Sequence, residues 1–460
     1  MFKKLLLVAS LILSSSSAIA ADDKTALVGG RLIDGFGGTP LANSVILING
    51  DTIERVGTVD SLPVPRGYKV ISTNGMDVLP GLWESHAHLK INGHADYASW
   101  DAKYIDRWAS EIMPASAVQL LLAGITSARD LGAPMDDSIE VRDRINNGEI
   151  PGPNMYMSGP FLQHRPYDRP EPDRWGIYGV EDAVAKVTKL ADAGVDLIKL
   201  IDQDNMTLEE AKAIVDTAHS RGLKVVGHSH RPNEIRRGLE IGIDNYEHTG
   251  LTTAPEYPAD IIAGLKERTA TGRIAGGPLF WTPTVDVLNS YMDTVRNPEH
   301  LDNQCWKRGL KADTIADIEQ SIKKPGELAY MQLTGIRMPT LKKKFQQLKD
   351  TGVVMLIGTD SGVPMNFHCQ STWREMDTWV NTMDVDPMDT IRAATYWPAV
   401  MMGVSDKFGT VSKGKKADII AVHGNVLKHM NILSDVKLVM KSGIVYKENG
   451  DPVEANLKHK

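Results

Sequence analysis

Between residues 195 and 248 the chain reads "VDLIKLI", "TLEEAKAIVDTAHSRG", "LKVVGH", "NEIRRGLEIG" and "DNYEH", with few residues to spare between the pieces. The pattern alternates short apolar strands with amphipathic helices. A strand that returns through a crossover helix lies parallel to its predecessor, so the middle of the chain builds a parallel sheet covered by helices. The helices declare themselves by capping and spacing. Thr207 and Glu210 form a capping box, and Ala211, Ile214, Val215 and Ala218 fall on one face. Upstream, "EDAVAKVTKLADAG" places Val184, Val187, Leu190 and Ala191 at helical spacing and stops at Gly194. About eight strands of this kind fit between residues 78 and 360, which favours a closed (β/α)8 TIM barrel over an open sheet. Residues 286–345 are long, polar and helix-forming, and read as an insertion between the seventh and eighth strands.

The two ends of the chain have a different texture. Residues 25–77 carry short strands with a hairpin signal at Asn49-Gly50-Asp51, and similar strands return in "ADIIAVHG", "VKLVMKSG" and "IVYKENG". The expected organisation is a small discontinuous β-rich domain from residues 21–78 and 403–460, flanking a barrel over 79–402. Residues 1–20 form a separate unit. "MFKK" is a basic start, "LLLVASLIL" a short apolar core, and "SSSSAIA" a small-residue cleavage site, the pattern of a secretory signal peptide. The apolar core is far shorter than the ~20 residues a spanning helix needs, so no membrane span is expected after cleavage. Ala21 in place of cysteine disfavours a lipid anchor. An exported protein, periplasmic or secreted, is the expectation.

Losing Lys3 and Lys4 with the signal takes the net charge from −7 to about −9. No basic stripe interleaved with aromatics appears, which argues against a nucleic-acid partner and for a small-molecule substrate. Homo-oligomerisation is left open. The two cysteines, Cys305 and Cys369, lack metal-site spacing, and whether they pair is not readable from their positions.

In a barrel of this kind chemistry gathers at the C-terminal ends of the strands. His86 and His88, in "GLWESHAHLK", stand at the end of strand one. Residues two apart on a strand share a face, so both imidazoles can aim at one point. Lys199 sits inside "DLIKLI", where a charged ammonium is costly unless compensated. His228 ends strand five, His248 strand six and Asp360 strand eight. Each has an ordinary alternative: a solvated lysine, a satisfied core histidine, a turn-capping aspartate. Their coincidence at one end of the sheet is what points to a metal site.

Taken in order, "LPGLWESHAHL", "AGITSARDLG", "IPGPNMYMSGP", "GVDLIKL", "GHSH", "IDNYEHTG", "IGTDSG" and "GTVSKGKKADIIAV" resemble the metal-dependent amidohydrolase superfamily, in its imidazolonepropionase-like and Xaa-Pro dipeptidase-like branch. The resemblance implies a binuclear centre, with His86, His88 and Asp360 on one divalent ion and His228 and His248 on the other. Lys199, carboxylated by CO₂, would bridge the pair. Imidazole and carboxylate ligands favour zinc. A hydroxide between the ions would attack the substrate, and Asp360 would shuttle its proton to the leaving amine. Two departures stand out: Glu84 precedes the H-x-H where relatives commonly have Asp, and "IDQDNMT" after Lys199 is short and lacks a glycine-rich loop.

Around this centre, His230 shares a strand face with His228 and is assigned to contact with the substrate carbonyl or oxyanion. Arg129, in "SARDLG", is a candidate for a substrate carboxylate, with a salt bridge to Asp130 as the alternative. His164, Tyr257 and His368 are weaker candidates near the mouth. The expected reaction is hydrolysis of an amide bond in a dipeptide, Xaa-Pro included, or an N-acyl amino acid, with the 286–345 insertion covering the mouth. The alternatives are a lactone, ester or phosphotriester hydrolase, an imidazolone-type cyclic amide hydrolase, or a non-catalytic binding protein on the same scaffold.

Overall fold

A computed structural model describes residues 24–165, 172–250, 252–271, 277–324, 327 and 331–458. The expected signal segment lies outside the described residues. Among the described residues ten strands carry the middle of the chain: β1 (Leu82–Ala87), β2 (Ile125–Asp130), β3 (Asn154–Met157), β4 (Leu197–Ile201), β5 (Lys224–His228), β6 (Asn245–Glu247), β7 (Phe280–Thr282) and β8 (Val354–Met355), with the short strands Phe161–His164 and Arg174–Ile177 beside β4. β1, β2 and β3 pair in parallel, and so do β4 through β8 in sequence order. The fold is therefore α/β with parallel sheets. The two sheets also meet at two points. Asp196 N–H donates to Met157 O at 2.9 Å between β3 and β4, and Ala87 forms a parallel bridge with Ser361 just past β8.

The helices follow the apolar periodicity with one correction. Helix Leu208–Ser220 has the capping box and buries Ala211, Ile214, Val215 and Ala218. Helix Val180–Ala193 instead buries Ala183, Val187 and Leu190, while Val184 is 40% exposed. The stripe is rotated by one residue because Ala183, not Val184, continues the Val187–Leu190 face. Each large aliphatic side chain buried this way contributes about 1.5–3 kcal/mol. Gly194, at φ 85°, supplies the left-handed turn that ends the helix.

The chain ends interleave. Met76–Pro80 pairs antiparallel with Ile419–His423, so N- and C-terminal segments share one six-stranded sheet. The Ser44–Asn49 and Thr52–Thr58 strands form the hairpin expected around Gly50.

Between β7 and β8 stand helices Asp286–Arg296, Ala312–Ser321 and Thr334–Lys349. This insertion packs on the segment after β1. Asp317 accepts hydrogen bonds from Lys103 at 2.6 Å and Tyr104 at 3.2 Å, and Arg107 donates to Asp313 at 2.7 Å. A disulfide joins Cys305 in the insertion to Cys369 beyond β8, settling the pairing that the sequence left open. It spans 64 positions, and closing a loop of that length contributes about 4 kcal/mol in the chain-entropy account. Cys305→Ser is therefore expected to lower the thermal midpoint by several degrees, and reductant to bring the native protein down to the same value. Equal midpoints with and without reductant would contradict this.

Candidate metal centre

β1 delivers His86 and His88 to one face, their ring centroids 5.2 Å apart. His86 Nδ1 lies 2.8 Å from Glu247 Oε2, and Arg129 donates to the other oxygen of Glu247 at 3.0 Å. A carboxylate at Nδ1 holds the proton on that nitrogen and leaves Nε2 as a lone-pair donor. That Nε2 is 3.5 Å from Asp360 Oδ1, and His88 Nε2 is 3.1 Å from the same oxygen. On the far side the His248 ring stands 4.7 Å from His86, 4.8 Å from His228 and 4.3 Å from His230. His248 Nδ1 is tied to Thr284 Oγ1 at 2.9 Å.

Aiming these side chains takes unusual backbone. His248, Thr284 and Asp360 all have left-handed φ, at 76°, 47° and 57°. Such conformations cost about 1–3 kcal/mol each in non-glycine residues and persist where surrounding structure enforces them. They lie one, two and five residues past the ends of β6, β7 and β8.

The result is two overlapping donor sets. One ligand atom each from His86, His248 and Asp360 lies within 4.8 Å of the others, and the same holds for His228, His230 and His248. His230 thus stands among the donors themselves. Lys199, fully buried on β4, has no hydrogen-bond partner for Nζ among the described residues, and neither has His86 Nε2. A buried polar atom left alone costs about 1–3 kcal/mol. Burial pulls the Lys199 ammonium down to about 8, against the carboxylates of Glu247 and Asp360. Burial likewise lowers His86, His228 and His248 well below the ordinary imidazole value, with Lys199 contributing to each. Neutral imidazoles and a carboxylate are a donor set that suits divalent ions.

Two buried carboxylates that sequence reasoning did not single out as active hold this arrangement. Glu247 orients His86, as above, and burial raises its pKa against the pull of Arg129 and Lys199. Glu84 accepts from His86 N, Thr359 N, Thr359 Oγ1 and Thr372 Oγ1 at 2.7–2.9 Å, so it stitches β1 to the segment leading to Asp360. Burial still pushes it up to about 7. The signal for both was present: an acidic residue inside an otherwise apolar strand is costly unless several donors meet it.

A cavity of about 390 Å³ opens on this centre, lined by His88, His228, His230, His248 and Asp360 together with Lys90, Phe161, Asp173 and Arg174. Several sequence candidates are not there. Arg129 is fully buried and committed to Ser85 O at 2.6 Å, Glu247 and Thr282, so it does not line the cavity, and its carboxylate partner is Glu247 rather than Asp130. The Tyr257 hydroxyl donates to Thr249 O at 2.5 Å, beneath the surface. His164 ends the Phe161–His164 strand away from the cavity wall. His368 bridges Ser361 Oγ and Ile91 O, each at 2.9 Å, as a brace for the Asp360 loop. No described residue of the 286–345 insertion lines the cavity. Its described residues hold the segment after β1 through the Asp317 and Asp313 contacts.

A family model described as the amidohydrolase family matches residues 78–445. The chain belongs to the amidohydrolase family. It is accordingly a hydrolase acting on carbon–nitrogen bonds. An ochratoxinase of Aspergillus niger is 26% identical over 94% of this chain and 89% of its own length. The solved structure of A. niger ochratoxinase superposes with a TM-score of 0.69 at 22% identity, covering 93% of this chain and 96% of that one. A Xaa-Pro dipeptidase structure with bound methionine in the active site gives a TM-score of 0.71 at 22% identity, over 92% of this chain and all of that one. Phenylurea hydrolase B gives 0.71 at 18% identity, over 92% and 96%. At these identities the structural likeness is one of fold. Among the described residues no helix is long and apolar enough to cross a membrane.

Proposed function

We propose that this amidohydrolase is an exported binuclear metalloenzyme that hydrolyses the amide bond of a small substrate, a dipeptide or an N-acyl amino acid. The observation that carries the reading is the convergence of five cavity-lining histidine and aspartate side chains beside the buried Lys199 amine, which has no hydrogen-bond partner among the described residues. The eight parallel strands read as a closed (β/α)8 barrel, supported by the contacts between the two sheets. Residues 21–78 and 403–460 then form the smaller β-rich unit, supported by the pairing of Met76–Pro80 with Ile419–His423. The Cys305–Cys369 disulfide supports an oxidising, extracytoplasmic location.

His86, His88 and Asp360 would hold one divalent ion, and His228 and His248 the other, with a carbamate on Lys199 as an anion shared between them. Zinc suits this nitrogen and oxygen set. Bound ions would polarise the scissile carbonyl and acidify the attacking water. The remaining work falls to side chains. Asp360, at the cavity edge, accepts the proton of the attacking water and passes it to the departing amine. His230 contacts the substrate carbonyl, and Glu247 fixes the ring of His86 by its Nδ1 hydrogen bond. The ochratoxinase and Xaa-Pro dipeptidase among its relatives support amide substrates of this size.

Elemental analysis of metal-replete protein should give about two divalent ions per chain. A ceiling of one, or full occupancy in a variant lacking both His228 and His248, would refute the binuclear reading. Activity is expected on a panel of dipeptides, prolyl dipeptides first, and N-acyl amino acids, with no endoprotease activity. Efficient lactone or aryl-ester hydrolysis with no amide turned over would replace the amide reading with the ester one.

A further inference from the structure

We infer that Glu375, on the Ser371–Asn381 helix, is a positioning residue of the metal centre: it holds Thr284 in the conformation that fixes the His248 ring. This rests on the metal-centre reading above and adds to it a residue that does not line the cavity.

The chain of contacts starts at the ring. His248 Nδ1 lies 2.9 Å from Thr284 Oγ1. With that nitrogen donating to the hydroxyl, Nε2 keeps its lone pair for an ion. The His248 backbone is fixed separately. Its N–H donates to Thr282 O at 2.7 Å, and its carbonyl accepts from Trp281 Nε1 at 2.6 Å and Ser229 Oγ at 2.8 Å. Those bonds do not set the rotation of the ring, and the bond to Thr284 does.

Thr284 needs help to serve. Its φ of 47° is left-handed, where a β-branched residue is a true outlier. Such backbone persists only where its surroundings enforce it. One carboxylate grips the two residues that follow: Glu375 accepts from Val285 N at 3.0 Å and from Asp286 N at 2.6 Å. These donors open the Asp286–Arg296 helix, whose N-cap residue, Val285, makes no side-chain capping bond. Trp379 Nε1 donates to Glu375 at 2.8 Å and fixes the carboxylate in turn. Glu375 is fully buried, and that burial together with the Asp286 carboxylate pushes it up to about 8. A serine or asparagine at position 285 would cap the helix locally, without burying an acid. What Glu375 adds is a tie from the Thr284 turn to a second element.

That element also serves the other donor set. Thr372 Oγ1 donates to Glu84 at 2.7 Å, and Glu84 accepts from His86 N and Thr359 N. The Ser371–Asn381 helix thus holds the segments bearing His86 and His248 in one frame, with Glu375 as its contact on the His248 side.

The test measures zinc affinity by competition with a chromogenic chelator, starting from metal-free protein. Glu375→Gln keeps the side-chain shape but turns an amide nitrogen toward at least one of the three N–H donors. Thr284→Val removes only the hydroxyl. Each should weaken the zinc held through His248 about 10- to 100-fold, the range for losing a group that orients a ligating histidine, and leave the other ion near native. The double variant Glu375→Gln/Thr284→Val should bind zinc no more weakly than Thr284→Val, because both substitutions break one chain. Thr284→Ser keeps the hydroxyl without the branched carbon, so Glu375→Gln should cost less in that background. A residue that served the helix alone would lower the thermal midpoint of metal-free protein and leave zinc affinity native. Where Glu375→Gln yields no folded protein, Glu375→Asp, which withdraws the carboxylate by one carbon, is read in the same way. Native zinc affinity in the Glu375 variant, or additive losses in the double variant, overturns the assignment. Native protein that takes up a single zinc overturns the binuclear reading, and the assignment then stands or falls on whether that one affinity drops in Glu375→Gln and Thr284→Val. Native protein that takes up none overturns both.

Discussion

Lys199→Ala is expected to abolish turnover to below about one hundredth of the native rate and to empty part of the metal centre in the same step. The two losses belong together because one side chain serves both. Lys199 lies fully buried in the middle of β4, with Nζ meeting no hydrogen-bond partner among the described residues. A lysine placed for structure alone would have been cheaper as leucine, since burial disfavours its charged form. Its amine, drawn down to about 8 by that burial, is neutral often enough near neutral pH to add CO₂. Alanine leaves a void the size of the missing chain, and a short carboxylic acid such as acetate or propionate can occupy it. Added acid should therefore restore some turnover to Lys199→Ala and none to His228→Ala. Full metal content and native kcat in Lys199→Ala, without added acid, would remove the residue from the centre.

How much of this was legible beforehand depends on what each residue answers to. The parallel strands and their helices were readable because period and capping are local properties, as the Thr207–Glu210 box illustrates. His86, His88, His228, His248 and Asp360 could be placed because all stand at the same end of consecutive parallel strands, so their convergence follows from topology alone. Glu247 and Glu84 were overlooked as organisers because their partners lie 161 and 275 positions away, at His86 and Thr359. Arg129 and Arg174 show the same limit from two sides. Arg129, on β2, is turned onto Glu247, whereas Arg174, on a strand of the sheet that holds β4 to β8, lines the cavity. Which distant residues meet each guanidinium is a tertiary fact that the local sequence does not carry. The insertion was visible as an interruption, but its docking on Lys103, Tyr104 and Arg107 is a tertiary fact, as is the disulfide that pins it.

Asp360→Asn should separate the chemistry from the scaffold. Asp360 stands at φ 57°, a conformation that asparagine adopts more readily than most residues, so the substitution adds little strain. The loop around it is held through the backbone and through neighbours: Asn366 donates to Thr359 O at 2.7 Å and to Asp360 O at 3.3 Å, and Ser361 is held by His368. None of these contacts uses the Asp360 carboxylate. What changes is the group facing His86 and His88, where a carboxylate that can take and return a proton becomes an amide that cannot. Proton transfer of this kind is worth about 10²–10⁴-fold, so kcat should fall by that factor. KM should change far less, and thermal unfolding should stay near the native midpoint. An amide oxygen still donates a lone pair to a metal, so most of the metal content should survive, in contrast to Lys199→Ala. Steady-state kinetics, unfolding and elemental analysis on the same preparation decide the matter. Turnover close to native in Asp360→Asn would transfer the proton-carrying role elsewhere, and His230, stacked on His248 at the cavity wall, would be the next residue to replace.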